Sequence, residues 1–212
     1  MQLTKFTHSC VRLDDGDRTL VIDPGVFSEV EAALDGADAV LVTHEHSDHL
    51  DTDRLRAAAL ADPRLRIWAP ESVAAMLRDL GEQVVTVVPA STFDAAGFEV
   101  RTVGGQHALI HPAIPVVANL GYLIGGLYHP GDSLIVPTVP VDTLLAPIHA
   151  PWSKSAEIID FIVSVRAPHV HQIHDALLNE TGLSFVEGLV GRIGAEHGAQ
   201  FRNLAPRESV TL

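Results

Sequence analysis

The sequence predicts an α/β fold in which mixed β-sheets are covered by helices. Short apolar runs rich in Val, Ile and Leu recur along the chain, segments of helical spacing fall between many of them, and neither kind dominates. At 212 residues, 47% of them apolar, the chain is long enough to bury a substantial core.

Each element follows from local pattern. Residues 3–11 alternate in part and read as a strand, LDDGDRT (13–19) supplies a turn, and LVID (20–23) reads as a strand stopped by Asp23-Pro24-Gly25. The buried run AVLVT (39–43) leads into a histidine-rich segment, and 51–62 has helical spacing at Leu55, Ala58, Ala59 and Asp62. A strand at 66–69, a helix from Pro70 to about Leu80 and a strand at 84–88 repeat the alternation. FEVRTV (98–103) is a further strand, and 119–129 reads as two strands joined at Gly125-Gly126. The remainder reads as a strand at 143–148, a helix near 155–166, a strand at 169–173 and a helix from about 183 to 197. No linker, low-complexity tract or strong internal repeat interrupts the pattern, so a single domain over 1–212 is expected.

Composition excludes several functions. A formal charge of -13, with two lysines and twelve scattered arginines, argues against a nucleic-acid partner, because phosphate backbones are held mainly by clustered cations. No apolar run reaches the roughly 20 residues of a membrane span, and MQLTKFTHSC lacks the basic-then-apolar layout of a signal peptide. A cytoplasmic protein without a membrane partner is expected. Cys10 is the only cysteine, so no internal disulfide or thiolate cluster can form, and any metal must rest on imidazoles and carboxylates.

The 12 histidines bunch at 44–49, 107–111 and 169–174. The densest bunch, LVTHEHSDHL (41–50), contains H-x-H-x-D-H directly after a predicted strand. In extended chain His44 and His46 point the same way and can share one ion, whereas Asp48 and His49, beyond the turn toward the helix, suit a second. Imidazole and carboxylate donors fit Zn²⁺ and equally Fe²⁺ or Mn²⁺. For a further ligand, His107 and His111 lie on one loop. Near the C-terminus His169 and His171 share strand parity, while His174 sits past the strand end, where ligands gather in such sheets.

With these residues the sequence resembles the metallo-β-lactamase superfamily, whose signature is H-x-H-x-D-H. FTHSCVRL (6–13), LVIDPG (20–25), GGQHALIH (104–111), YHPGDS (128–133) and HVHQIHDAL (169–177) fall in the order of motifs in its ascorbate-phosphate-lactonase-like (UlaG-like) branch. The resemblance implies a four-layer αββα sandwich, two mixed sheets flanked by helices. It also implies two divalent ions per chain, zinc first and manganese or iron as alternatives. His44, His46 and His107 would hold one ion, Asp48, His49 and His174 the other, and Asp132 would bridge them. A hydroxide between the ions would attack an ester, lactone or phosphodiester-type bond of a small-molecule substrate, with Asp48 and Asp132 as the catalytic carboxylates. His8, His111, His129 and Trp152 would support ligands or meet the substrate, and Cys10 reads as a buried apolar thiol. Substrate choice would come from loops at 26–30, 110–117 and 149–155, where Trp152 could stack on an apolar group or pack under a helix start, and Lys154 could meet an anion. An iron-dependent oxidoreductase of the same fold and a non-catalytic metal-binding protein are the alternatives. A homo-oligomer is compatible with the edges such a fold exposes.

Overall fold

The computed structural model describes all residues, Met1–Leu212. The first half contains β1 (Gln2–Lys5), β2 (Val11–Asp15), β3 (Arg18–Ile22), α1 (Val30–Leu34), β4 (Ala39–Leu41), α2 (Thr52–Ala61), β5 (Arg66–Ala69), α3 (Glu71–Met76) and β6 (Val84–Thr86). The second contains β7 (Thr92–Ala95), β8 (Phe98–Val103), β9 (Gly121–Ile124), β10 (Leu127–His129), β11 (Thr143–Pro147), α4 (Ser155–Val165), β12 (His169–Ile173), α5 (Glu180–Glu196), β13 (Gln200–Phe201) and β14 (Ser209–Thr211). Two seven-stranded sheets result, ordered β14-β1-β2-β3-β4-β5-β6 and β13-β12-β11-β10-β9-β8-β7. Each is mixed, with β3 to β6 and β10 to β13 running parallel and the other neighbours antiparallel.

Side-chain alternation explains why these strands read as continuous apolar runs. Leu20 and Ile22 of β3 and Leu41 of β4 enter the core between the sheets, together with Phe98, Tyr122, Leu145 and Ile173 from the facing sheet. Val21 and Val40, one residue out of phase, pack outward against Val30, Ala33, Leu55 and Val73 of α1, α2 and α3. On the other side Leu144 and Val170 pack outward against Ile158 and Phe161 of α4 and Val190 of α5. With helices over both outer faces, central strands such as β4 and β11 are buried on both sides while outer strands such as β8 alternate, and the expected four αββα layers are present.

Helix ends follow the usual chemistry. Asp51 caps α2 by accepting the Arg54 amide at 3.0 Å, and Asn179 caps α5 by accepting the Gly182 amide at 2.8 Å. Gly125 and Gly126, at φ 53° and 86°, make the two-residue turn between β9 and β10. No helix is long and apolar enough to cross a membrane.

Some elements differ from expectation. The strand read over 3–11 is two strands, because the Phe6 amide bonds the Cys10 carbonyl at 2.9 Å and closes a tight loop between β1 and β2. His8 sits in that loop at φ 66°, and Cys10 precedes β2 rather than lying within it. β6 ends at Thr86, two residues short of the apolar run, and α5 starts at Glu180 because Asn179 caps it there. The helix α1 and the short strands β7, β13 and β14 carry too little local pattern to be read from sequence.

Candidate metal centre

The charged and histidine side chains gather where parallel strands end. β3 delivers Asp23, β4 the segment from Thr43 to His49, β10 Asp132, β11 His149 and Trp152, and β12 His174, while His107 comes from the loop between β8 and β9. Loop residues at the carboxyl ends of strands are a usual place for a site, because a rigid sheet positions them. Close packing holds the segments together. A Cβ on Gly25 would lie 1.9 Å from the Asp48 carbonyl oxygen, and one on Gly131, at φ 60°, would lie 2.3 Å from Asn119 Oδ1. His8, Asp23 and His174 also adopt left-handed backbone (φ 66°, 52° and 59°), a conformation costing about 1–3 kcal/mol for such residues and concentrated at functional sites.

Rear hydrogen bonds set the tautomer of each imidazole. The Thr43 hydroxyl donates to Asp23 Oδ2 at 2.7 Å, so it can only accept from His44 Nδ1 at 2.9 Å, which leaves the His44 Nε2 lone pair facing the centre. His49 Nδ1 donates to Asp23 Oδ2 at 2.7 Å, His107 Nδ1 to the Ala108 carbonyl at 2.6 Å and His174 Nδ1 to the His149 carbonyl at 2.6 Å. All four therefore turn inward the Nε2 that is free to take a metal ion or a second proton. His46 Nδ1 lies 3.1 Å from His44 Nε2, the closeness expected of two donors to one ion.

These nitrogens surround Asp132. Its Oδ2 is 3.2 Å from His107 Nε2 and 3.1 Å from His174 Nε2, and its Oδ1 is 3.0 Å from His49 Nε2. His107 Nε2 and Asp132 Oδ1 are buried without a hydrogen-bond partner, since their close neighbours are not aligned for one. Lone pairs facing a carboxylate at such distances are tolerable only if cations, metal or proton, lie among them. The electrostatics respond in that sense. Burial alone would lower His49, but Asp132 and Asp23 push its pKa well above the ordinary histidine range. Burial alone would raise the Asp132 carboxyl, yet His49, His107 and His174 hold it well below the usual carboxylate range. Burial keeps His44 well below the ordinary value and lowers half-buried His46 as well, so both are neutral ligands at physiological pH.

Two groups of potential ligands meet at Asp132. His44, His46, His107 and Asp132 form one, and His8, Asp48, His49 and His174 the other, each with its ligand atoms within 4.8 Å of one another. His8 belongs to the second group by distance but not by chemistry. The Ala176 amide donates to its Nδ1 at 3.3 Å, so its proton sits on Nε2 and is donated to Asp48 Oδ2 at 3.1 Å. His8 thus holds a ligand. Burial raises the Asp48 carboxyl, but this hydrogen bond and the neighbouring His49 bring it down to about 2. An acid that weak as a base suits an anionic ligand better than a proton relay.

All seven residues expected as ligands lie in the two groups, and the structure separates them from their competitors. His111 is exposed on the loop, its Nδ1 accepting the Ala113 amide at 3.1 Å, and belongs to neither group. His169 and His171 line a cavity at the opposite ends of the strands, beside Asp142 and Arg202. His129 reaches no ligand carboxylate: its Nε2 donates to the Ser9 carbonyl at 2.9 Å and its Nδ1 accepts the Gly131 amide at 3.1 Å, a buried structural role. Trp152 does more than pack, because its indole N–H donates to Asp132 Oδ2 at 2.8 Å. Lys154 pairs with Glu157 at 3.5 Å at the start of α4. Asp23, a strand stop within the LVIDPG segment by sequence, is fully buried and holds ligands, a role whose sequence signal is an acid ending an apolar strand.

Comparison with known proteins shows the family and the fold. The model of the Beta-lactamase superfamily domain matches residues 2–174. Protein Rv0786c of Mycobacterium tuberculosis is 40% identical over 184 residues, 84% of this chain and 85% of that protein. A UPF0173 metal-dependent hydrolase of Xanthobacter autotrophicus is 34% identical over 125 residues, 54% of this chain and 51% of the relative. Among solved structures, Igni18, a metallo hydrolase from Ignicoccus hospitalis, superposes with a TM-score of 0.77 at 19% identity, covering 100% of this chain and 97% of that one.

Proposed function

Because this chain belongs to the Beta-lactamase superfamily domain family, we propose that it is a metal-dependent hydrolase acting through a dinuclear centre on an ester, lactone or phosphodiester-type bond. One observation carries the reading: four imidazoles whose rear nitrogens are tied to carbonyl, carboxylate or hydroxyl groups turn their lone pairs toward one buried carboxylate, Asp132. His44, His46 and His107 would hold one ion, Asp48, His49 and His174 the other, and Asp132 would face both. Zinc is the first expectation for this donor set, with manganese or iron as alternatives. Bound divalent ions supply activated water near neutral pH and Lewis-acid polarisation of the scissile group.

The chain's own residues do the positioning. Asp23 fixes His49 directly and His44 through Thr43, so one buried carboxylate aligns ligands in both groups. His8 orients Asp48, the ligand carboxylate with a partly exposed side chain, and Trp152 pins Asp132 through Oδ2. The His107 and His174 rings pack edge-on to Trp152, with centroids 5.9 and 6.2 Å away, so the indole also walls water from that flank.

The test is turnover of a panel of lactones, carboxylic esters and phosphodiesters by protein reconstituted with zinc, manganese or iron. Hydrolysis of one class that is abolished by chelation supports the proposal. A coloured, redox-active iron protein that hydrolyses nothing would favour the oxidoreductase alternative instead.

A further inference from the structure

Three segments at the rim of the centre are apolar, exposed and free of charge, whereas the fourth, 149–155, carries Trp152 and the exposed Lys154, paired with Glu157. Val26 and Phe27 follow β3, Leu109, Ile114 and Val116 lie on the loop between β8 and β9, and Leu177 follows β12; their exposures run from 43% to 56%. All but Ile114, at the tip of the β8–β9 loop, are tied to the site within a residue or two. The Val26 amide bonds the Ser47 carbonyl within the H-x-H-x-D-H segment, and Phe27 packs edge-on to His8 at 5.3 Å. Leu109 is two residues from His107, Val116 adjoins Val117, whose carbonyl accepts the His107 amide at 3.0 Å, and Leu177 follows Ala176, which bonds His8. The rim segments 24–28, 104–120 and 176–178 contain no Asp, Glu, Lys or Arg.

The β8–β9 loop is the largest part of this rim. Between Val103 and Gly121 it has no regular structure, and connections of this length without secondary structure are uncommon outside functional loops. It is anchored at its base, where Ala108 bonds the Asp132 carbonyl at 2.8 Å and His107 bonds Val117. From 109 to 116 its hydrogen bonds are internal, Ile114 to His111 at 2.8 Å and Ala113 to His111 at 3.1 Å. A loop of this composition offers no Lys or Arg to an anionic substrate.

We infer that this rim is the binding surface for an apolar group of the substrate, so that the compound hydrolysed is an ester or lactone with a hydrophobic acyl or alkyl chain rather than a phosphorylated sugar derivative. The inference rests on the hydrolase reading and refines it. Continuity with the ligand-bearing segments places the apolar part beside the scissile bond, and Trp152 adds an aromatic wall. Full burial of one methylene is worth roughly fourfold in affinity (about 0.8 kcal/mol), and half-burial on an open rim roughly twofold.

The experiment has two arms. The first compares kcat/KM of the metal-loaded chain for butanoyl, hexanoyl and octanoyl esters of one alcohol, and for γ-lactones of matching chain length. An increase of at least about tenfold from four to eight carbons is expected, carried mainly by KM, and Leu109→Ser with Ile114→Ser flattens it. The second follows binding of butanoate, octanoate and octyl phosphate by the fluorescence of Trp152, Trp68 being buried in the core between the sheets. Octanoate binding more tightly than butanoate by a similar factor supports the inference whether or not the chosen esters turn over. Absence of turnover on every substrate would count against the hydrolase reading, while this arm still decides the rim's preference. Chain-length-independent binding and kcat/KM overturn the inference. So does a dimer that the double variant converts to monomer with unchanged chain-length selectivity, since the rim is then an interface between copies.

Discussion

Replacing His8 separates the two roles its position allows. The His8→Ala variant removes the Nε2–H that Asp48 Oδ2 accepts at 3.1 Å, a hydrogen bond to an ionised group worth about 1.5–3 kcal/mol when desolvated. The Asp48 side chain is 23% exposed, so water recovers part of that. Asp48 stays ionised at neutral pH, because losing this donor only lets its pKa rise from about 2 toward 3.8. The loss is therefore one of orientation, and removing such a support typically costs 10–100-fold in metal affinity, about 1.4–2.7 kcal/mol. It falls on the group of Asp48, His49 and His174, while His44, His46, His107 and Asp132 have no contact with His8. Competition titration with a chromophoric chelator should show one binding step weakened by that factor and the other within about twofold. His8→Gln, which keeps an N–H donor at similar reach, should recover most of the loss, and circular dichroism should show all three proteins folded. Equal loss in His8→Gln and His8→Ala would make His8 a ligand and refute the tautomer assignment, and no change in either step would refute the supporting role.

Three further outcomes follow from the same contacts. Trp152→Phe keeps the aromatic wall but removes the donor to Asp132 Oδ2, so hydrolysis should fall by about 10–100-fold in steady-state assays with little change in melting temperature. Cys10 is fully buried and burial pushes its thiol far above the ordinary range, so the native chain should resist alkylation that the urea-unfolded chain undergoes at once. His171, remote from the centre, has its pKa lowered by burial despite its bond to the Arg202 carbonyl. Because its folded pKa lies below the unfolded 6.5, its contribution to stability is complete above about pH 6.5 and is lost as pH falls through the folded value. Thermal melts from pH 8 to pH 5 should fall less steeply in His171→Gln.

The parts of the site that sequence exposes are those whose partners are close in sequence or whose residue types have one common use. His44, His46, Asp48 and His49 lie within six residues, and their spacing alone suggested two ions. The layered fold was legible because β3, β4 and β11 are short apolar runs each followed by a helical segment. The fine structure was not legible, because it depends on where separate segments land. Asp23 meets Thr43 and His49 only when β3 and β4 align in parallel, and Trp152 meets Asp132 only when β10 and β11 do. The choice of His107 over His111 came from the family resemblance and needed the Ala108–Asp132 backbone bond to show why the loop root faces inward. The turn at His8 was hidden because Thr7, His8 and Ser9 carry no Gly or Pro to mark it.

The central claim is that two ions held around Asp132 support hydrolysis. Metal-free protein titrated with Zn²⁺ or Mn²⁺, with bound metal and turnover of a responsive ester, lactone or phosphodiester read on the same samples, tests it most directly. The account predicts about two ions per chain, activity rising with the second, and loss of activity by orders of magnitude in a folded Asp132→Ala variant. One ion or none per chain, or turnover indifferent to Asp132, would contradict it.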